Sequence, residues 1–253
     1  MSSLSLRPPD ARILSRALPE PRWRPGLPAQ TFHSEIFASA NEASGAGLAL
    51  ALARDALTSK DPSGGGQDTR HVLWVQDRAA IRLGGRPCLA GLPPEWRHRL
   101  IHVAATTPED ALFALEEGLK CRDLACVIGE IAGNPRALGF TAARRLSLTA
   151  ERHGVMLWLV RLDAQADLSS ARMRWRVCAA PSPQPRWNPA APGTATWHAE
   201  LFRARAHMPG EWMLCDDNGT LCISSDPEQS SAPDHVGLAR PTVGRSLAAG
   251  ARA

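Results

Sequence analysis

Three times between Phe32 and Arg161 a short apolar run is followed by a stretch with helical spacing, and that alternation admits few folds. The spacing predicts strand Phe32–Ala38 with helix Ala46–Leu57, strand Leu100–Ala105 with helix Pro108–Lys120, and strand Leu124–Ile131 with helix Leu138–His153. Two further strands, His71–Gln76 and Val155–Arg161, complete the set. Leu124–Ile131 and Val155–Arg161 are continuously apolar, as strands covered on both faces are. Thr107 is placed to cap the second helix, and Glu109 and Asp110 suit the positive end of its dipole. Strands that alternate with helices imply a mostly parallel, twisted sheet flanked by helices, an α/β fold.

The first strand-loop-helix unit is the most informative. Gly26–Ala53 reads GLPAQTFHSEIFASANEASGAGLALALA, with a small-residue loop Ser39–Gly47 between strand and helix. That is the layout of a phosphate-binding loop, whose pattern GxxxxGK[ST] supplies a lysine for the outer phosphates and a hydroxyl for magnesium. Here Ser44 and Gly45 are followed by Ala46 and Gly47. Ala46 brings no charge and Gly47 no metal ligand. The backbone amides at the helix start could still meet an anion, but without the lysine that site is expected to be weak.

After Arg161 the rhythm changes. Arg172–Val177 alternates strictly between arginine and apolar residues, as a half-exposed antiparallel strand does. The PSPQPRWNPAAPG stretch is too rich in proline for an internal strand, and Trp197–Ala206 and Glu211–Ile223 then supply a strand and a hairpin. Asn218-Gly219 predicts a two-residue type I′ turn, which sets Asp217 opposite Thr220 and Cys215 opposite Cys222. The six cysteines form no CxxC pair and no cluster with histidine, so a structural zinc site is not expected, and Cys215 and Cys222 read as small apolar side chains in a reducing cytosol.

Three runs carry a family resemblance: GLPxxxxHSEIFA…SGAGLALALA, ACVIGEIAGNPRALGFTAARRLSLTAERHGVMLWLVR, and RMRWRV…WHAELFRARAHMPGEWML. Together, from about Pro25 to Ser224, they resemble the inducible-mutagenesis protein ImuA, a bacterial family related to the recombinase RecA. The resemblance implies a RecA-like core, a P-loop NTPase-type sheet with antiparallel C-terminal strands. By the same resemblance the catalytic lysine and threonine fall at Ala46 and Gly47, the magnesium aspartate at Gly129 with Glu130 beside it, and the water-activating glutamate near Asp77. The lysine and the magnesium carboxylate are thus missing and the water-activating acid is one carbon shorter, so the expectation is a pseudo-ATPase that needs no cofactor and holds no metal. Asp77 reads either as a catalytic remnant or as a polar strand end. Glu130 reads either as an ion pair with Arg136 or an arginine of the following helix, or as a residue at the ligand-binding edge of the sheet.

The resemblance also implies an accessory role in the DNA-damage (SOS) response, supporting error-prone translesion synthesis. The implied partners are ImuB, an inactive Y-family polymerase relative, an error-prone polymerase, and RecA as a further candidate. The alternative is an active RecA-type, ATP-dependent DNA-binding protein with an unorthodox loop. The loops matching the DNA-contacting ones lie near Ala132–Leu138 and Leu162–Ala171, and the second, LDAQADLSSA, is a poor phosphate cradle. Arg144, Arg145, Arg152, Arg172, Arg174 and Arg176 could form a basic face instead, or merely keep a sheet edge soluble. Trp187, Trp197, Phe202 and Trp212 are candidate partner contacts or core aromatics.

Charge does not decide between these. The 29 basic side chains, all arginine but Lys60 and Lys120, nearly balance 25 acidic ones for a net +4. No apolar stretch nears the ~20 residues of a membrane helix and the N-terminus lacks a secretory pattern, so a cytoplasmic protein without membrane contact is expected. Residues 1–25 are expected to be a flexible arm, 26–224 one domain, and 225–253 a disordered tail, either a docking arm or inert.

Overall fold

The computed structural model describes residues 32–58, 68–183, 185, 188–205 and 207–224. The arm, the tail and Trp187 lie outside the described residues. Within them the chain runs β1 (His33–Ala38), α1 (Ser44–Thr58), β2 (His71–Gln76), α2 (Arg78–Gly84), β3 (Leu100–Ala104), α3 (Pro108–Lys120), β4 (Leu124–Ala132), α4 (Phe140–His153), β5 (Met156–Leu162), β6 (Met173–Ala179), β7 (Thr196–Ala204), β8 (Gly210–Asp217) and β9 (Thr220–Ile223). All nine strands join one sheet in the order β3-β2-β4-β5-β1-β6-β7-β8-β9. Pairing is parallel from β3 through β6 and antiparallel from β6 through β9. The α/β class with a mostly parallel, mixed sheet is therefore as expected.

Side-chain parity assigns the two faces. Ile36, Trp74, Ile128, Trp158, Trp175 and Trp197 point toward α1, α2 and the segment around Trp96. Leu73, Val127, Leu157 and Leu159 point toward α3 and α4. Gly118 and Gly129 let α3 approach this second face, since a Cβ at Gly129 would stand 2.9 Å from a Leu115 methyl. The predicted boundaries hold within a residue or two, and Thr107 forms a full capping box with Asp110. Helix α2 was not anticipated; Asp77 starts it, accepting from the Ala80 amide at 2.6 Å.

The C-terminal hairpin has the expected register, Asp217 opposite Thr220 and Cys215 opposite Cys222. Both turn residues have positive φ, 51° at Asn218 and 91° at Gly219. A Cβ at Gly219 would also lie 2.8 Å from the Arg54 guanidinium, which pairs with Asp216 at 2.9 Å and Glu95 at 3.2 Å. Gly219→Ala is expected to lower stability by about 1–2 kcal/mol, read as a lower urea midpoint at unchanged slope.

A polar layer is buried where β1 meets β5, β6 and α4. His33 is fully buried, and its Nδ1 shares a hydrogen bond of 2.7 Å with Ser147 Oγ. Burial holds the imidazole down at about 4, against 6.5 for the free side chain, with Glu35 and Glu151 opposing and Arg174 and Arg161 adding to the shift. The folded ring stays neutral where the unfolded one takes a proton, so stability falls as pH drops from 6.5 to about 4 and no further below that. His33→Gln is expected to flatten the stability–pH curve in that window by close to one proton, measurable from urea midpoints at pH 7, 5.5 and 4.5.

Candidate functional site

In an open α/β sheet the crevice lies beyond the carboxyl ends of the strands, and here it is bordered by the segments after β1 and β2 and by the ends of β4 and β5. Helix α1 starts at Ser44 with tight packing, because a Cβ on Gly45 would meet Ala38 and Val160 at 2.8 Å. The loop before it contains an acid that sequence reasoning passed over, Glu42. Its carboxylate accepts from the Ser44 hydroxyl at 2.9 Å and, through the other oxygen, from the Ala179 amide of β6 at 3.0 Å. The Gly47 amide donates to Ala43 O at 2.9 Å. The loop thus carries its own anion at the positive end of a 15-residue helix. Ala46 is apolar, and Gly47 sits under the Trp197 indole, with 3.1 Å left between a would-be Cβ and the ring.

Across the crevice Glu130 lies near the end of β4, with Ile131 and Ala132 after it. It is 4% exposed, accepts from Trp74 Nε1 at 2.6 Å and from the Gln76 amide, and has no ion pair among the described residues. The expected pairing with Arg136 or an α4 arginine is not observed. Glu130 projects to the α1 face, whereas α4 covers the opposite one. Burial pushes its carboxyl above the usual range, the Asp77 charge adds to this, and the bonds from Trp74 and Gln76 offset part of it. Gln76 in turn donates to Gly85 O at 2.8 Å and meets His102 Nε2 at 2.9 Å. Asp77, 1% exposed, serves as the cap of α2, which accounts for an acid at that strand end.

Between Glu42 and Glu130 lies a cleft of about 440 Å³, walled by Ala43, Ala46, Leu50, Trp74 and Leu162 and roofed by the segment Leu83–Leu92. Of the four loop residues, Ala46 and Gly47 line it. Trp74 and the roof were not singled out from the sequence. An indole in an otherwise aliphatic strand, two positions from the strand end, was the available signal.

The arginines do not gather into one open face. Arg174 is 3% exposed and bonds Glu35 through Nε at 2.8 Å, Arg172 pairs with Glu151, Arg176 pairs with Glu200 at 2.9 Å, and Arg145 pairs with Glu116 across to α3. Arg144 and Arg152 are separate from these on the outside of α4 or its end. The two loops matched to DNA contacts are tied together, with Asn134 donating to Gln165 O at 3.0 Å and accepting from the Gln165 amide at 2.7 Å. Among the aromatics, Trp197 is core. Trp212 is half-buried 6.0 Å from Trp175, and Phe202 lies between Arg174 and Arg176 at 5.3 and 4.3 Å.

No protein-family model matches this chain, and no curated protein matches it either. No helix among the described residues is long and apolar enough to cross a membrane.

Because the folded Glu130 carboxyl holds its proton to higher pH than the unfolded one, its stabilising contribution is present at low pH and is lost as pH rises through the folded value. Glu130→Gln keeps an acceptor for Trp74. Its melting temperature is expected to exceed the parent's at pH 8 and to match it near pH 4.

Proposed function

We propose that this protein is a non-catalytic accessory of the DNA-damage (SOS) response that supports error-prone translesion synthesis in the cytoplasm. It acts by contact with an inactive Y-family polymerase relative of the ImuB type and an error-prone polymerase, with RecA a further candidate partner. The observation that carries this reading is the closed loop. Glu42, in the loop before α1, ties its carboxylate to the Ser44 hydroxyl and the Ala179 amide, Ala46 brings no charge where the resemblance puts the lysine, and a side chain at position 47 would crowd the Trp197 indole. The resemblance to ImuA supplies the biological setting, and the parallel-then-antiparallel strand order is compatible with a RecA-like core.

A cell that keeps such a fold without its phosphate chemistry keeps it for its surfaces. DNA contact is a weaker part of the proposal, since Arg172, Arg174 and Arg176 each already face a carboxylate.

Purified full-length protein should show no ATP turnover above blank, with or without single-stranded DNA, and should capture ImuB in pull-downs equally with and without ATP. Turnover that disappears in Asp77→Ala, or capture that requires ATP, would replace this reading with the active, ATP-dependent DNA-binding alternative.

A further inference from the structure

Helices α3 and α4 carry opposite charge on their outer faces. Both return from the carboxyl to the amino ends of parallel strands, so they run the same way, side by side over one face of the sheet. On α3, Glu109, Phe113 and Glu117 stand one turn apart and all are exposed; Lys120 is the one base of that helix, bonded to Glu117 at 2.6 Å. On α4 the exposed row is Phe140, Arg144, Leu148 and Arg152, again one turn apart. The one carboxylate of α4, Glu151, is held by Arg172. Arg144, Arg152 and Glu109 have no ion pair among the described residues.

The apolar members of these rows lie open as well. Phe113 is 67% exposed, Leu148 54% and Phe140 42%. One such side chain on a surface is ordinary, but here Phe113 stands between two acids and Leu148 between two arginines on adjoining helices, which is the alternation of a docking face. The sign pattern says what covers it. Both rows face outward from the same layer, so a second copy that lays its α3 on this α4 also lays its α4 on this α3, and the match of acid to base is made twice. The two-fold axis that does this runs parallel to the helices. An axis across them would set acid on acid and arginine on arginine.

Within one chain Arg145 pairs with Glu116, which sets the two helices level. A two-fold parallel to them keeps that level, and so brings Glu117 of one copy between Arg144 and Leu148 of the other, and Phe113 between Phe140 and Arg144. We propose that α3 and α4 form the face by which two copies of this chain associate, with Glu117 paired to Arg144 and Phe113 packed on Phe140 in both directions. Helices of this length span about 20 Å, and two of them about 10 Å apart cover about 400 Å² per copy. That is below the roughly 800 Å² per partner of a standard interface, so the dimer is reversible and weakens with salt. This goes beyond the accessory role proposed above and does not depend on it.

The test is sedimentation velocity of the full-length protein over roughly 1 to 200 µM, at about 50 and 500 mM salt. A monomer–dimer equilibrium is expected, with the dimer losing at least tenfold in affinity at the higher salt. Arg144→Glu and Glu117→Arg, each shown to be folded by its melting temperature, are each expected to stay monomeric where the parent is dimeric. Mixed in equal amounts, the two variants are expected to dimerise again, because each then meets the opposite charge at both contacts; a merely structural effect would not be rescued in this way. A parent that is monomeric throughout, a dimer indifferent to either reversal, or a mixture that stays monomeric would each overturn the assignment. A monomeric chain that loses capture of single-stranded DNA or of ImuB in Arg144→Glu would also overturn it, and would give the face to that partner. ImuB capture by the parent protein tests the accessory role by itself, so the two readings fail separately.

Discussion

The sheet depends on one buried carboxylate at its seam. β1 joins the rest of the parallel sheet to β6, the strand at which antiparallel pairing begins, and is paired in parallel with β5 on one side and with β6 on the other. Glu35 projects from its middle, 1% exposed, accepts from Arg174 Nε at 2.8 Å and from the Ser169 hydroxyl at 2.7 Å, and stands 4.0 Å from Arg161. Phe37, two residues on, lies within 5.7 Å of Arg161 and 5.1 Å of Arg174, and Phe202 continues the stack to Arg176. Such a cluster adds little net stability over an apolar one, but removing one partner strands the others at a cost of about 3–5 kcal/mol. Its stronger effect is on register. A one-residue slip of β1 would turn Glu35 into the aliphatic α1 face and Ile36 onto the arginines, so the seam has one acceptable alignment.

That alignment also sets the crevice. With Ile36 and Ala38 held against α1, the chain leaves β1 directly beneath the helix start, and the Glu42 carboxylate reaches β6 at Ala179. At the other end of α1, Arg54 and Asp55 bind β8 and β9 through Asp216 and the Leu221 amide. Helix α1 therefore bridges the antiparallel strands to the parallel sheet. The loop that precedes it is part of this joint, which limits how far it can open toward a ligand.

Most of the architecture was legible because each cue was local. The apolar runs gave the parallel strands, Thr107 and Asp110 gave a helix start, and Asn218-Gly219 gave the hairpin register. What could not be read was where charged side chains find partners far along the chain. The alternation of Arg172–Val177 correctly put the arginines on one side, yet Arg174 is buried because Glu35, 139 residues away, receives it. Glu130 has a similar history. Its sequence neighbours include arginines, but strand parity sends it to the face opposite α4, where Trp74 of β2 waits. Helix α2 escaped notice because seven residues with glycine at the end carry too little periodicity to register.

Ala46 and Glu42 together set the charge at the start of α1. In a working phosphate loop a lysine offsets the charge of the anion that the helix amides attract. With alanine there, an incoming phosphate would face the Glu42 carboxylate instead, and two like charges ~4 Å apart repel by about 4 kcal/mol at the effective dielectric of a protein surface. The Glu42 carboxylate itself fastens the loop to β6, one oxygen taking the Ser44 hydroxyl and the other the Ala179 amide, and so stands beside the positive end of α1.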